Sequence, residues 1–381
     1  MRNLVAPGAW LGYCTNVHAG ATLDATLANL RRYAAPIRAA VSPDAPMGIG
    51  LWLSDESSRD ATGRLHELRE VLHELGLVTF TLNGFPFGDF HQSVVKTAVY
   101  QPTWLRPERV AYTRRLAHIL AAIMPDDTEG SISTLPLAWG GTPFSVDDSR
   151  RAWAHLASVV ETLAQIEQDT GRCIHLDIEP EPGCVLGSHA DAHAWLERHL
   201  PSGAPGDLVR RHLRVCHDIC HAAIMFEQQA EVVRHYHDIG IRIGKVQVSS
   251  AIRAQISPAA AAQFRTFCED RYQHQTTCRR ADGGHTFEAD LPDMLRRLKA
   301  GDPDAAGEWR VHFHVPIGLE RFGELETTRS LIPECIDLLR HEVDHWEVET
   351  YAWSVLPPQL QADSLVEGIA AELRWLLEVL A

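Results

Sequence analysis

Short apolar runs that each carry carboxylates, amides or imidazoles at or near their end recur along this 381-residue chain. They are Cys173–Glu179, Val215–His221, Val246–Ser250, Val311–Gly318 and Trp346–Thr350. Side chains at successive strand ends converge only when the strands are parallel neighbours. A (β/α)8 barrel provides that arrangement, and its active sites lie at the carboxyl ends of the strands. The runs therefore predict an α/β fold of the TIM-barrel type with a polar site at one end.

Strand-like and helix-like segments alternate along the chain. Eight strands are predicted near Trp10–Val17, Gly48–Leu53, Val78–Leu82, Ser131–Pro136, Cys173–Ile178, Leu213–His217, Arg242–Val248 and His345–Glu349. Helical patterns predict helices at Thr22–Ala40, Arg59–Leu75, Pro107–Ile123, Ser149–Asp169 and Glu326–Arg340. Thr22 has the residue type of an N-cap. Alternation of this kind favours a parallel sheet over segregated strands and helices.

Two insertions interrupt the alternation, one after the third strand and one after the seventh. Asn83–Arg106 is a long loop rich in glycine, proline and aromatic residues. A loop of that length inside a compact domain is usually functional, and we expect it to cover the barrel mouth as a lid. Ser257–Glu308 is a second excursion with helical patterns. We expect one domain over residues 1–381, because no linker or internal repeat is visible.

Charge and composition argue against several classes of protein. The formal net charge of −15 opposes general nucleic-acid binding, which needs lysine and arginine against the phosphates. No apolar run reaches the length of about 18 residues that membrane insertion requires. Residues 1–10 lack the apolar core of a signal peptide. Eight cysteines without a Cys-x2-Cys pair are typical of reduced thiols in a cytoplasmic protein. The composition is compatible with a homo-oligomer.

Four of the strand-end residues form a candidate metal site. Glu179, Asp218, Gln247 and Glu349 offer three carboxylates and one amide oxygen. Such hard oxygen ligands favour Mn²⁺, Mg²⁺ or a similar divalent ion. Buried acids at this density would not all ionise without a cation, because like charges raise one another's pKa. Taken singly, each acid could equally be a helix cap or a solvated loop carboxylate.

The same residues resemble the motifs of the xylose isomerase-like barrels, a superfamily that includes ketose 3-epimerases, hydroxypyruvate isomerases and the endonuclease IV branch. Its pattern is a strand ending in Glu, an Asp-x-x-His, a His six residues before an Arg, and a last strand ending in Glu. Here these positions are Glu179, Asp218 with His221, Gln247 with Arg253, and Glu349. The resemblance implies a divalent metal (manganese, magnesium, zinc or cobalt), Glu179 and Glu349 as the catalytic acid/base pair, and His221 and Arg253 as substrate anchors. Gln247 departs from the usual His, which leaves the identity and affinity of the metal open.

A second motif resembles a metal-binding segment of endonuclease IV, an Asp-x-His followed four positions later by Gly. This chain has His312 and His314 before Gly318, so only the first residue differs. Both imidazoles could hold a further metal ion, or one of them could be packed. The early histidine ligands of endonuclease IV are missing, since the second and third strands end in Ser54–Asp55 and Asn83–Gly84. With the negative charge, this argues against a DNA-repair enzyme.

The chain as a whole resembles the EboE family, metabolite-traffic proteins of the Ebo gene cluster. The segments that carry the resemblance are Gly12–His18, Asn83–Gly88, Val99–Trp104 and Asp177–Gly183. It runs from about residue 4 to the end of the chain. It implies a cytosolic barrel protein that moves or tailors a secondary-metabolite precursor, without specifying a reaction.

Four further residues are candidates for substrate binding, each with an alternative. Asn16 and His18 close the first strand and either line the pocket or cap a turn. His91 lies in the long loop and could fold over the mouth. Lys245 precedes Gln247 by two positions on the same face, so it either polarises a substrate carbonyl or pairs with a buried acid.

Three functions are compatible with these residues. The first is a metal-dependent isomerase or epimerase acting on a small polyol, sugar or cyclitol-like metabolite, with Glu179 or Glu349 removing a carbon-bound proton. The second is a non-catalytic carrier that keeps the pocket without turnover. The third is a two-metal hydrolase that uses His312 and His314. The number of bound metal ions distinguishes them: none for the carrier, one for the isomerase, and two or more for the hydrolase.

Overall fold

The computed structural model describes residues 1–380 and contains a closed barrel of eight parallel strands. These are β1 (Trp10–Cys14), β2 (Met47–Trp52), β3 (Leu77–Asn83), β4 (Gly130–Thr134), β5 (Ile174–Ile178), β6 (Leu213–Asp218), β7 (Ile243–Val248) and β14 (His345–Val348), numbered in chain order. β1 to β7 are neighbours in sequence order, and β14 closes the barrel between β7 and β1. All eight predicted strands are present, so the predicted (β/α)8 barrel is confirmed.

Helices follow the strands and pack outside the barrel. They are α1 (Leu23–Asn29), α2 (Ala35–Val41), α3 (Asp55–Gly63), α4 (Leu65–Glu74), α5 (Pro107–Ile123), α6 (Val146–Thr170), α7 (His189–His199), α8 (Ala204–His212), α9 (Ile219–Ile224), α10 (Gln229–Asp238), α11 (Pro258–Phe264), α12 (Leu291–Lys299), α13 (Leu331–Leu339) and α14 (Leu365–Leu380). Single 3-10 turns lie at Thr15–Val17, Lys96–Tyr100, Arg265–Phe267, Pro303–Ala305, Tyr351–Val355 and Pro358–Leu360. In the part of the chain that the structure describes, no helix is long and apolar enough to cross a bilayer.

Two of the five predicted helices, Pro107–Ile123 and Ser149–Asp169, agree with the structure, and the other three differ in part. A π turn at Leu30–Ala34 joins α1 to α2, and the Thr22 hydroxyl caps α1 by accepting from the backbone N–H of Ala25 at 3.2 Å. The helix predicted over residues 59–75 is broken at Arg64, whose φ of −125° is not helical. Gly63 precedes the break, and glycine weakens a helix interior.

The insertion after β7 forms a second sheet that the sequence pattern did not predict. Its strands are β8 (Ile252–Gln255), β9 (Thr276–Arg279), β10 (His285–Glu288), β11 (Glu308–Val311), β12 (Arg321–Phe322) and β13 (Leu325–Thr327), and neighbouring strands are antiparallel. Two predictions were therefore wrong. Val311–Gly318 is not a parallel neighbour of the barrel strands, because β11 pairs with β8 and β9 and ends at Val311. The helix predicted from residue 326 begins only at Leu331, because Leu325–Thr327 is a strand.

A buried ion pair occupies the barrel interior. The Lys245 ammonium contacts the Glu347 carboxylate, and both side chains are fully buried. Burial alone would lower the pKa of Lys245, but the Glu347 carboxylate reverses this effect and raises it above its usual value. Gly50 makes room for the pair, since a Cβ atom there would lie 1.3 Å from Glu347 Oε1. Lys245 was expected either to polarise a substrate carbonyl or to pair with a buried acid, and in the structure it pairs with a buried acid.

Candidate metal and substrate site

Three carboxylates converge at the carboxyl ends of the barrel strands. Glu179 follows β5, Asp218 ends β6 and Glu349 follows β14. One oxygen from each carboxylate lies within 4.8 Å of the others, and the three side chains are buried. This spacing allows one cation to contact all three.

Several polar atoms at this end of the barrel find no hydrogen-bond partner among residues 1–380. They are Glu179 Oε2, Asp218 Oδ2 and both side-chain atoms of Gln247. Gln247 stands opposite Asp218 in the β6–β7 register and opposite Glu347 in the β7–β14 register. A buried polar atom without a partner is costly. A divalent cation would satisfy these oxygens, so the residues present fit a metal ion.

The pKa values of the acids have physical causes in this cluster. Burial, with Glu349 and Asp218 nearby, raises the pKa of Glu179 well above its usual range. Burial, with Asp218 and Glu347 nearby, raises the pKa of Glu349 to about 8. Burial also disfavours ionised Asp218, but His221, His314 and two hydrogen-bond donors outweigh it and lower the pKa. The protein alone thus retains protons that a bound cation would displace.

Three imidazoles lie beside the carboxylates with their tautomers fixed by carbonyl oxygens. Nδ1 of His221 donates to the Pro180 carbonyl at 2.9 Å, and Nδ1 of His314 donates to the Glu349 carbonyl at 2.6 Å. Nδ1 of His312 donates to the Gln275 side-chain oxygen at 2.8 Å. Burial lowers the pKa of all three histidines, that of His221 to about 4. Each neutral ring therefore carries a lone pair on its Nε2 atom.

Two of these lone pairs lie near the same carboxylate oxygen. Nε2 of His221 is 4.0 Å and Nε2 of His314 is 3.9 Å from Asp218 Oδ2. His312 Nε2 instead accepts a long hydrogen bond of 3.4 Å from the Tyr351 hydroxyl. Histidines that bind metals usually donate their other ring N–H to a carbonyl or carboxylate in this way. The imidazoles could thus ligate a second ion next to the carboxylate cluster.

A further acid, Glu181, lines the site and was not identified from the sequence. Its Oε1 accepts hydrogen bonds from the Tyr100 hydroxyl at 2.7 Å and from the Gln275 amide at 3.0 Å. Nδ1 of His312 lies 3.7 Å away from the same oxygen. Burial raises the pKa of Glu181 to about 7, although these donors oppose the shift. The sequence did offer one indication of this role, because Glu181 follows the predicted metal ligand Glu179 by two residues.

The remaining predicted substrate residues occupy different places. Asn16 lines the cavity, and its amide donates to Glu349 Oε1 at 2.8 Å. His91 lies behind Asn16, with Nε2 2.6 Å from the Asn16 carbonyl oxygen. His18 is buried behind β1, where it contacts the Tyr13 hydroxyl at 3.0 Å and stacks on Tyr33.

Two of the predicted substrate residues lie away from the barrel mouth. Lys245 is enclosed in the barrel interior with Glu347. Arg253 lies on β8 of the second sheet, where its guanidinium pairs with Glu326 at 2.8 Å and with Glu308 at 3.6 Å. Each of the two residues thus forms ion pairs within the protein, in place of the expected contact with a substrate.

A cavity with about 550 Å³ of empty space, part of it open to solvent, lies over the carboxylates. The loop between β3 and α5 forms one wall, as expected of a lid, and Glu179, Glu181, Glu349 and the three histidines form the floor. The cavity is lined by Asn16, Asn83, Phe85, Pro86, Phe90, Val95, Lys96, Val99, Tyr100, Glu179, Glu181, His221, Tyr272, Gln273, His312, His314, Glu349 and Tyr351. The lining combines aromatic rings with a few convergent polar groups, as small-molecule sites do.

Comparison with known proteins supports the fold. No protein-family model matches the sequence, and no curated protein matches it by sequence. A D-allulose 3-epimerase from Methylomonas sp., solved with D-allulose, aligns over 97% of this chain and 96% of its own, with 11% identity and a TM-score of 0.50. At this identity the match supports the fold alone, a closed barrel of eight parallel strands.

Two further solved structures align at lower scores. The IOLI protein with a bound zinc atom has 12% identity, covers 97% of this chain and 98% of its own, and has a TM-score of 0.45. A xylose isomerase domain protein from Alicyclobacillus acidocaldarius has 12% identity, the same coverage and a TM-score of 0.42. At these scores neither structure bears on the fold or the function of this chain.

Proposed function

We propose that this protein is a divalent-metal-dependent isomerase or epimerase that acts on a small polyol, sugar or cyclitol-like metabolite. The observation that carries the proposal is the convergence of Glu179, Asp218 and Glu349, with buried oxygens left without partners. These three carboxylates, with the Gln247 amide oxygen, would hold the metal. A divalent ion in such a site supplies Lewis-acid polarisation of substrate oxygens.

The two glutamates differ in the hydrogen bonds that they accept, and this difference supports different catalytic roles for them. Glu349 Oε1 accepts hydrogen bonds from the Asn16 and Asn83 amides at 2.8 and 3.1 Å, so its orientation is fixed. Glu179 Oε2 receives no such bond from the described residues. Glu179 is therefore the more basic carboxylate and removes the carbon-bound proton, and Glu349 serves as the partner acid on the opposite side. His221 presents an Nε2 lone pair that can accept from a substrate hydroxyl.

Solvent deuterium exchange tests the proposal. With Mn²⁺ bound, a ketose or polyol substrate should acquire deuterium at a C–H position. Glu179→Gln should keep the metal and lose the exchange by about 10²–10⁴-fold, the usual contribution of a general base. Asp218→Ala and Glu349→Ala should instead lose the metal in elemental analysis. Metal without exchange into any tested polyol would favour a non-catalytic carrier.

The three imidazoles support a second candidate, a two-metal hydrolase. Two of their lone pairs lie near Asp218 Oδ2, which could bridge two ions. Metal stoichiometry separates the candidates, since the hydrolase requires two ions per chain and the isomerase one. His314→Gln should remove the second ion and leave the first, if a second ion binds.

We also propose a role in an Ebo-type metabolite pathway, on a secondary-metabolite precursor, in the cytoplasm and with residues 1–381 acting as one domain. The sequence segments that resemble the EboE family support the pathway, and the eight free thiols are compatible with a reducing compartment. Deletion of the gene should cause a precursor to accumulate, and an unchanged metabolite profile would contradict this role.

A further inference from the structure

Part of the cavity wall is aromatic and apolar. Phe90, Tyr272 and Tyr351 form a triangle of rings with centroids 5.0 to 5.3 Å apart. Phe90 comes from the loop after β3, Tyr272 from the insertion after β7, and Tyr351 from the segment after β14. Three separate segments thus place aromatic carbon beside the polar floor, where the Tyr351 ring lies 4.7 Å from the His314 ring.

The tyrosines of this wall have their hydroxyls engaged with the protein. The Tyr272 hydroxyl donates to the Phe90 carbonyl at 3.3 Å, and the Tyr100 hydroxyl donates to Glu181 at 2.7 Å. The Tyr351 hydroxyl donates to His312. A ligand therefore meets the faces of these rings, and its hydroxyl groups find partners mainly on the floor. A free sugar carries hydroxyl groups around its whole length, so part of them would lose hydrogen bonds here.

The charges around the cavity disfavour an anionic ligand. Glu179, Glu181 and Glu349 line the floor. Among the lining residues of the described chain, the only ammonium or guanidinium group is that of Lys96, and it is paired with Asp290 at 2.6 Å. A phosphate or carboxylate on the substrate would thus face carboxylates without a free cation.

A second cavity adjoins the first beneath the loop after β3. It has about 450 Å³ of empty space and shares Pro86, Phe90, Val95 and Val99 with the first cavity as lining residues. Val94 lies at this second cavity with 55% of its surface exposed, which is unusual for a large apolar side chain. Apolar side chains of this loop therefore line both cavities, one at the carboxylate site and one at the outer side of the loop.

We propose that the substrate is an uncharged amphiphile, with a polyol or hydroxyketone head over the carboxylates and an apolar ring or chain against Phe90, Val95 and Val99. The apolar part extends toward the second cavity. The identity of the head rests on the proposed function, whereas the apolar part rests on the wall alone. The loop then has a recognition role in addition to covering the mouth.

Matched probes test this in the full-length, Mn²⁺-loaded protein. D-fructose is compared by calorimetry with 1-O-benzyl-D-fructose, 6-O-benzyl-D-fructose and D-fructose 6-phosphate. At least one benzyl ether should bind about tenfold or more tightly than D-fructose, because it buries an aromatic ring. The phosphate should bind no more tightly than D-fructose.

Two variants test whether the benzyl group contacts the proposed apolar wall. Val99→Thr keeps the side-chain shape and should reduce the affinity of the better benzyl ether by about threefold without changing that of D-fructose. Phe90→Leu should reduce it further if the variant folds. Val146→Thr, at an exposed valine of α6, is the matched control and should change nothing.

Equal affinity for D-fructose and both ethers, or no binding of either ether, would overturn the proposal. Either result, together with metal binding and deuterium exchange into free ketoses, would leave the proposed function intact. Tight, Val99-dependent binding of an ether without exchange would support the amphiphilic ligand and contradict the isomerase.

Discussion

Glu372 is a buried carboxyl group on α14 whose pKa is set by burial. It accepts hydrogen bonds from the Ile317 N–H at 3.0 Å, the Thr350 hydroxyl at 2.6 Å and the Trp353 indole at 3.0 Å. Burial raises its pKa from 4.5 to about 7, although these donors oppose the shift. The folded protein thus holds this proton more tightly than the unfolded chain does.

This raised pKa predicts a loss of stability with rising pH. The stabilisation by protonated Glu372 is complete below the unfolded pKa of 4.5 and is lost as the pH rises through about 7. The free energy of unfolding, measured in urea at about pH 5 and pH 8, should therefore fall by about 3 kcal/mol more in the wild type than in Glu372→Gln. Glu378→Gln, at an exposed glutamate of the same helix, should behave as the wild type. Parallel pH profiles of wild type and Glu372→Gln would contradict the assignment.

Gln247 is the one uncharged residue among the four proposed ligands of the metal ion. Both of its polar side-chain atoms lack partners among the described residues, and the barrel motif that the sequence resembles has histidine at this position. An imidazole nitrogen is a stronger ligand than an amide oxygen for most divalent transition metals. Gln247→His should therefore tighten Mn²⁺ or Zn²⁺ binding by about tenfold in competition with a chelator. Gln247→Leu should weaken it, and equal affinity of the two variants would remove Gln247 from the site.

The residues of the site differ in how far the sequence could predict them. Glu179, Asp218 and Glu349 could be predicted, because they end parallel strands and so must lie at one end of the barrel. Glu181 and Gln275 could not be paired in advance, since their contact depends on how the insertion after β7 folds back over the mouth. Arg253 matches a motif position in the sequence, but it does not lie at the site. It belongs to β8, which pairs with β11 in the second sheet.

At the scale of elements, the two insertions join over the barrel mouth. The backbone N–H groups of Val95 and Lys96 both donate to the Arg271 carbonyl, at 2.8 and 2.9 Å. The Lys96 ammonium also pairs with Asp290 at 2.6 Å. Lys96 has a φ of 38°, a left-handed conformation that is unfavourable for residues other than glycine. Strain of this kind persists only where surrounding contacts enforce it.

Removal of the ion pair should loosen this junction. In Lys96→Ala or Asp290→Ala we expect faster backbone hydrogen exchange in residues 84–106 and unchanged exchange in the barrel strands. Arg31→Ala, which removes an exposed ion pair with Glu74 elsewhere on the surface, should leave the loop unaffected. Exchange rates in the loop that match the wild type in both variants would show that the backbone hydrogen bonds hold the junction without the ion pair.

The second sheet was not predictable from periodicity, for reasons that lie in its strands. β8 and β11 have four residues each and alternate buried and partly exposed positions, which short polar loops also do. β12 and β13 have only two and three residues. The barrel strands have four to seven residues and alternate with helical patterns along the chain, and that alternation made all eight recognisable.

At the scale of the whole molecule, the barrel encloses charge at its centre. Lys245 and Glu347 form an ion pair that is fully buried. Desolvation of two charges is expensive, so such a pair adds little stability compared with apolar residues of the same volume. From the barrel interior, however, its ammonium acts electrostatically on the acids at the carboxyl end and favours the ionised forms of Glu179 and Glu349.

A double-mutant cycle separates the cost of breaking this pair from its net contribution. Lys245→Met should reduce the free energy of unfolding by about 3–5 kcal/mol, because it leaves the Glu347 carboxylate buried and unpaired. Lys245→Met/Glu347→Leu should recover much of that loss, since no charge then remains in the barrel interior. Urea unfolding of Lys245→Met, Glu347→Leu and the double variant gives the coupling energy, and the exposed Arg150–Asp147 pair of α6 should show little or none in the same kind of cycle. The double variant could instead be less stable than Lys245→Met. That result would mean that the barrel interior needs the two charged side chains for its packing. The space that Gly50 leaves would then fit the Glu347 carboxylate but not a leucine side chain.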